Sequence, residues 1–463
     1  MINSKFIRLY KTITASEKRL LKKWIYSPIH NKHQHVQQLF EFLFSRESLS
    51  SVTLQKERAF QYIFPKQAYD MDLMNHIISY SYKILENFIE FLEAVQNDST
   101  AIKNQIQAYS KRKFKKIALK KWKLASKQLQ QSPHQNAAYY YESYALEALY
   151  FQIEGTQSRT KANNLPILFE QVSNFYIITM LRYACISVTH SNVYKTNYQI
   201  PLLDAILKQA EQQKETPIVQ LYYLAYQALT EPEEQDYYFA LKTCFQQHRT
   251  LLPQVESRGI LLMIINYAIK KSHTGDLLYI QEALDHYKLG LESHLLLEQG
   301  LLSQFTYKNI VALSLKMKDF EWTAAFIDNY TTFLPIALQE NYSLYASAKL
   351  HFALQNHSKC MELLSQIDYD DLFMNIDSKM MLLKIYYEEK SFDALEDLIH
   401  SFTLFLQRKD VLSYHKNNYL NILRFTKRLL KTADFAQQNR QKLRLEIEQT
   451  NPLTERAWLL EQL

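Results

Sequence analysis

Apolar residues recur every three to four positions through nearly the whole chain, which is the period of an amphipathic helix. Ser16 is placed to cap a helix over 17–26, which Pro28 stops. Val36, Leu39, Phe40 and Leu43 keep the same period within 33–44. Thr53 precedes a third helical stretch over 54–64, with Glu57 near the capping-box position and Pro65 behind it. Asp70 caps a long stretch to about residue 96, whose stripe runs Leu73, Ile77, Tyr80, Ile84, Phe88, Phe91 and Val95. Residues 1–98 therefore predict a compact N-terminal bundle of about four helices. Residues 99–160 predict a long basic helical connector, one or two helices broken at Ser132-Pro133. Across 161–463, apolar helices of about 12–20 residues alternate with short polar breaks, and Pro201, Pro217, Pro232, Pro253 and Pro335 fall at or near them. No run alternates apolar and polar residues well enough to demand a strand. No low-complexity tract or Gly/Ser linker interrupts the pattern, so the helices are expected to pack continuously.

Three segments, 305–334, 344–367 and 379–406, share a layout of helix, short polar turn and helix. Their turns are Lys318-Asp319-Phe320, Gln355-Asn356-His357 and Lys390-Ser391-Phe392, spaced by 37 and 35 residues. An earlier turn, Thr274-Gly275-Asp276-Leu277, lies 43 residues before Phe320. The pattern resembles the tetratricopeptide repeat, with Tyr307, Ile310, Asp319, Phe320 and Pro335 at matching positions. Val311, Thr323 and Tyr330 stand where that repeat has small residues; Ala348 and Cys360 restore them in the second segment, and Leu383 and Leu395 depart again in the third. The resemblance spans 217–407 and implies an α-solenoid of degenerate helical hairpins whose concave face grips a peptide or helix. The whole chain also resembles an uncharacterised bacterial family of all-helical proteins that shares Ser27-Pro28, Asn31-Lys32, Phe64-Pro65 and the Thr-Tyr-Lys-Asn stretch at 306–309. The expected fold is all-α: an N-terminal helical bundle, then a TPR-like α-solenoid.

Composition sharpens this expectation. Among 463 residues there are five glycines, none before Gly155. Sandwiches, barrels and doubly wound nucleotide folds need glycine at tight turns and phosphate loops, so they are set aside. Cys185, Cys244 and Cys360 are far apart and odd in number, which points to buried apolar roles in a reducing compartment. Residues 1–10 mix Lys5 and Arg8 among apolar residues, unlike a secretory signal. The longest apolar runs, 175–188 and 259–269, fall short of the roughly 20 residues that span a bilayer. The expected location is cytoplasmic, with no membrane insertion.

The net charge of +7 is unevenly spread. Residues 99–141 carry ten basic and no acidic groups, 142–407 carry 20 basic and 31 acidic, and 408–444 carry ten basic and two acidic. The densest run is Lys111, Arg112, Lys113, Lys115, Lys116, Lys120, Lys121, Lys123 and Lys127. Phe114, Ile117, Ala118, Trp122, Ala125 and Leu129 interleave with it at helical spacing, so 111–127 reads as one amphipathic helix with a basic remainder. Such a helix either docks its apolar stripe and leaves its lysines in water, or contacts nucleic-acid phosphates, or meets an acidic protein surface, including the acidic body of its own chain or of a second copy. Arg424, Lys427, Arg428 and Lys431 form a second basic face, read as solvated. Thirty-three tyrosines suit half-buried hairpin surfaces better than base stacking.

Little local chemistry competes with an interaction role. His30, His33 and His35 lie close in sequence, but residues two apart on a helix face different ways, so they read as a solvated helix entry and not as a metal site. Asp368, Asp370 and Asp371, with Asn375 and Asp377, lack the glycine of a calcium loop and read as capping residues. Glu231, Glu233, Glu234 and Asp236 read as an acidic helix start. No nucleophile elbow, phosphate loop or zinc-protease motif is present. The expectation is a non-catalytic protein-interaction scaffold or adaptor with no catalytic, cofactor-binding or metal-binding residues. Its partner is a protein or peptide. The nine basic residues of 111–127 are the candidate patch for an acidic partner or phosphate. The alternatives are a nucleic-acid-associated regulator acting through that patch, and an enzyme without a recognisable motif.

Overall fold

The computed structural model describes all residues except 47, 97, 155–162, 274, 370, 409–412 and 433–436. The protein is all-α, with 23 α-helices among the described residues. The pattern that predicted no strand misses one small ribbon: β1 (Leu297–Glu298) pairs antiparallel with β2 (Leu301–Leu302). Gln299 and Gly300 between them both have positive φ, 51° and 82°, the geometry of a tight two-residue hairpin. Backbone packing divides the chain into two units, Met1–Arg182 and Tyr183–Leu463.

Unit 1 opens with five helices where the period predicts about four: α1 (Lys5–Tyr10), α2 (Ala15–Tyr26), α3 (Gln34–Phe44), α4 (Lys56–Ile63) and α5 (Met71–Gln96). The added α1 is a six-residue helix capped by Ser4, too short to show a period. Two cap assignments change. Thr14, not Ser16, caps α2, and it forms a reciprocal capping box with Glu17. Thr53 caps nothing; its Oγ1 donates to the Ser48 and Ser50 carbonyls and folds the loop before α4. Asp70 Oδ1 accepts from the Asp72 and Leu73 amides as the sequence suggests. These helices close on one aromatic core around Phe6, Tyr10, Phe40, Phe60 and Phe88.

The next segment is three helices, α6 (Asp98–Lys111), α7 (Lys115–Gln130) and α8 (Ala137–Glu154). The single helix expected over 111–127 is broken at its start. Lys113 sits at φ 64°, its amide bonds to the Ser110 carbonyl, and the Phe114 amide reaches back to Tyr109, closing a left-handed C-terminal cap. Ile106, Ala118, Ala125, Leu146, Leu149 and Ile153 form a second core among α6–α8. Next along the chain is α9 (Leu165–Tyr194).

Unit 2 continues with α10 (Leu203–Gln212), α11 (Pro217–Thr230), α12 (Gln235–His248), α13 (Gln254–Ser272) and α14 (Leu277–Glu292). After the ribbon come α15 (Gln304–Lys316), α16 (Phe320–Tyr330), α17 (Ile336–Ala353) and α18 (His357–Leu364). The chain ends with α19 (Leu372–Glu388), α20 (Phe392–Arg408), α21 (Ser413–Thr432), α22 (Gln437–Gln449) and α23 (Arg456–Glu461). Sequential helices pair as α11/α12, α13/α14, α15/α16, α17/α18 and α19/α20, and α17 also packs against both α15 and α19. The turns at 318–320, 355–357 and 390–392 share one backbone device, while residue 274 of the earlier turn lies outside the described residues. Lys318, Gln355 and Lys390 all adopt positive φ, and the residue after each (Asp319, Asn356, Ser391) returns its amide to a carbonyl five residues back.

Lysine–carboxylate links join helices of unit 2. Lys242 meets Glu282 at 2.6 Å, Lys308 meets Asp371 at 3.0 Å and Lys349 meets Asp377 at 2.7 Å. Tyr238, Tyr342 and Tyr345 donate their hydroxyls to the same three carboxylates. The last core, around Leu383, Phe402, Ile422, Phe425 and Leu459, is shared by α19–α23.

Candidate functional site

The basic run of unit 1 forms the tip and one face of the α6/α7 hairpin. Lys111 ends α6, Arg112 and Lys113 make the turn, and all three are exposed. On α7 the buried stripe is Ala118 and Ala125, with Trp122 and Leu129 half-buried beside them. Trp122 Nε1 donates to the Leu146 carbonyl at 3.0 Å, and its ring lies 4.4 Å from that of Tyr150, so α8 holds this face. Two residues assigned to the apolar stripe leave it: Phe114 and Ile117 are exposed.

The opposite face of α7 carries Lys116, Lys120, Lys123 and Lys127, all exposed. Their spacing of four, three and four residues puts them in one row directly across from the docked stripe. Lys115 turns back to Glu154 at 3.1 Å, and Lys121 is half-buried. Among the described residues, none of the seven exposed basic residues of the run forms an ion pair. The first turn of α7 has no acidic residue. Docking through Trp122, Ala118 and Ala125 therefore holds the helix against lysine repulsion that costs a few tenths of a kcal/mol per neighbouring pair.

Unit 2 carries a surface the sequence pattern missed. An open groove of about 770 Å³ runs past the starts of α13, α15 and α17 and along the β1–β2 ribbon. Val255, Phe305 and Ile336, in the first turns of those helices, are 78%, 64% and 89% exposed. Val255 and Phe305 line the groove together with Leu295, Leu297, Leu302, Pro335 and Leu338, and Arg258 bridges to Glu298 within it. Burial lowers the Arg258 guanidinium from its ordinary value. Along the chain Val255 lies two residues after Pro253 and Ile336 directly after Pro335, but nothing there marks either side chain as uncovered.

The remaining singled-out residues disperse. His30 stacks on Trp24 at 3.4 Å, His33 lies against Tyr80 and His35 against Phe64, so each imidazole has its own aromatic partner. Among the described residues, no group of three His, Cys, Asp or Glu converges. Asp371 caps α19 through the Phe373 and Met374 amides while receiving Lys308 and Tyr342. Asp368 takes the Asn341 side chain on its amide, and Asp370 lies outside the described residues. Glu233 pairs with Lys271 at 2.8 Å. On the second basic face, Arg428 forks onto Glu446, while Arg424 and Lys427 line a cleft of about 480 Å³ opposite Glu396, Asp397 and His400. The side chain of Lys431 lies outside the described set.

Burial pushes the thiols of Cys185 up to about 12 and of Cys244 and Cys360 up to about 11, which keeps them protonated and poor nucleophiles. Burial likewise raises the phenols of Tyr10, Tyr140, Tyr267 and Tyr307 to about 12. These rings are core, with Tyr238 and Tyr267 stacked at 4.5 Å. No described helix is long and apolar enough to cross a membrane. No protein-family model, curated protein or solved structure matches the chain.

Proposed function

We propose that this protein is a non-catalytic interaction scaffold whose TPR-like hairpins hold a protein partner through the groove at the starts of α13, α15 and α17. The observation that carries this is the exposure of Val255, Leu301 and Phe305 in one leucine-lined groove, with the exposed Ile336 next in the chain to the lining Pro335. Isolated exposed apolar residues are ordinary; several bordering one groove favour a partner that covers them. The occupant that fits is a segment of another protein that inserts apolar side chains between Val255, Phe305 and Leu338, flanked by a polar group toward Arg258.

The test uses a photo-crosslinking amino acid at position 305 in the full-length protein in its native cells, with position 277 as a control. Leu277 is equally exposed, at 63%, but lies outside the groove. The expected result is a single protein adduct from position 305, absent from 277 and lost in V255D/I336D. Because both side chains are already in solvent, that variant should melt within about 1 °C of the parent. Identical adducts from both positions, or an adduct that survives V255D/I336D, would overturn the proposal.

A further inference from the structure

Independently of the groove, we infer that the lysine row of α7 is a site for the phosphate backbone of a nucleic-acid duplex, bound without regard to base sequence. Lys116, Lys120, Lys123 and Lys127 are exposed along one line. At 1.5 Å per residue the row is about 16 Å long. A B-form duplex carries one charge per ~1.7 Å of axis, so that length presents about ten phosphates, more than the row needs. Lys111, Arg112 and Lys113 extend the cationic surface around the hairpin tip.

Where the lysines stand on the helix discriminates between partners. A helix that lies on a bilayer puts apolar residues at its outermost line and lysines on its flanks. Here the order is reversed: lysines occupy the outermost line, and the exposed Ile117 and Leu124 lie along one flank. The helix cannot roll over, because Trp122, Ala118 and Ala125 fix its other face. The centre of a protein interface is depleted in lysine and enriched in aromatic residues and arginine, which this row is not. Lysine as a mobile point charge suits phosphates, whose positions along a duplex need no directional match.

The probe is a fluorescent 24-base-pair duplex, prepared as DNA and as RNA, titrated with the full-length protein between 50 and 200 mM salt. With four to seven phosphates neutralised, the plot of log affinity against log salt should have a slope of about −4 to −6. That corresponds to a loss of roughly 250- to 4,000-fold in affinity across the range. Substituting Lys116→Gln, Lys120→Gln, Lys123→Gln and Lys127→Gln together should flatten the slope by about 3.6. A control set in unit 2, K208Q/K214Q/K270Q/K316Q, removes the same charge from exposed lysines elsewhere. Tight binding of either duplex with this pattern supports the site. No binding at 50 mM salt overturns it, as does an equal loss in the control set, which would reflect net charge alone. Equal affinity for polyglutamate of matched charge, or binding to vesicles containing phosphatidylserine but not to the duplex, would assign the row to an acidic protein or a lipid surface instead.

Discussion

Asp377 holds two donors on one carboxylate, Lys349 Nζ at 2.7 Å and the Tyr345 hydroxyl. Burial alone would raise its pKa, but the charge of Lys349 and the two hydrogen bonds outweigh that and leave it below the ordinary carboxylate value. A carboxyl depressed in the fold stabilises above its unfolded pKa, and that stability is lost as pH falls through the folded value. The link should therefore be fully present at pH 7 and should weaken below about pH 4. The Asp377 side chain is 41% exposed, so solvent screens the pair. Asp377→Asn should then cost about 1 kcal/mol at pH 7 in urea unfolding, and the difference from the parent should shrink toward pH 3. A cost independent of pH would mean that packing, not charge, joins α17 to α19 here. None of this could be read along the chain: Asp377 looks like the tail of an acidic loop, and its partner Lys349 lies on a different hairpin.

The turns show how elements of this protein end without glycine. Lys113, Lys318, Gln355 and Lys390 adopt the left-handed conformation in which a Cβ crowds the backbone. Three of these turns were legible as polar breaks at a 35- to 37-residue spacing. The turn at Lys113 was not, because lysine is a good helix former and nothing marks the stop; the carbonyls of Tyr109 and Ser110 are capped by the amides of Phe114 and Lys113. Glycine should relieve the strain. Lys318→Gly, Gln355→Gly and Lys390→Gly should each raise stability by about 0.5–1 kcal/mol, and the triple variant should show close to the sum in thermal unfolding. Unchanged or lowered melting would mean that the stems of these long side chains stabilise the turns by more than the strain costs.

Over the whole chain, charge follows the two packed units. Unit 1 carries 26 basic and 14 acidic residues, net +12, and unit 2 carries 28 basic and 33 acidic, net −5. Self-repulsion in unit 1 is screened by salt, since the Debye length falls from about 10 Å at 0.1 M to about 3 Å at 1 M. The four tryptophans report on the units separately: Trp24 and Trp122 lie in unit 1, Trp322 and Trp458 in unit 2. In a W322F/W458F variant the fluorescence melting midpoint should climb as salt rises from 0.05 to 0.5 M. In W24F/W122F it should climb less. Equal shifts would mean that salt acts on general solvation and not on the lysine-rich unit.

Periodic apolar residues and near-absence of glycine were enough to establish an all-α protein. Helix formation is local: each turn closes its own hydrogen bonds, and a stripe three to four residues apart announces its buried face. The basic run at 111–127 was visible for the same reason. Its division into a turn and a row of four lysines came from packing, because α8 selects which face of α7 is buried. The groove belonged wholly to tertiary structure. Nothing along the chain sets Val255, Phe305 and Ile336 apart until folding brings three helix starts and a small β-ribbon together and leaves those side chains uncovered. Which apolar residues stay in water depends on neighbours distant in sequence, and local periodicity carries no record of them.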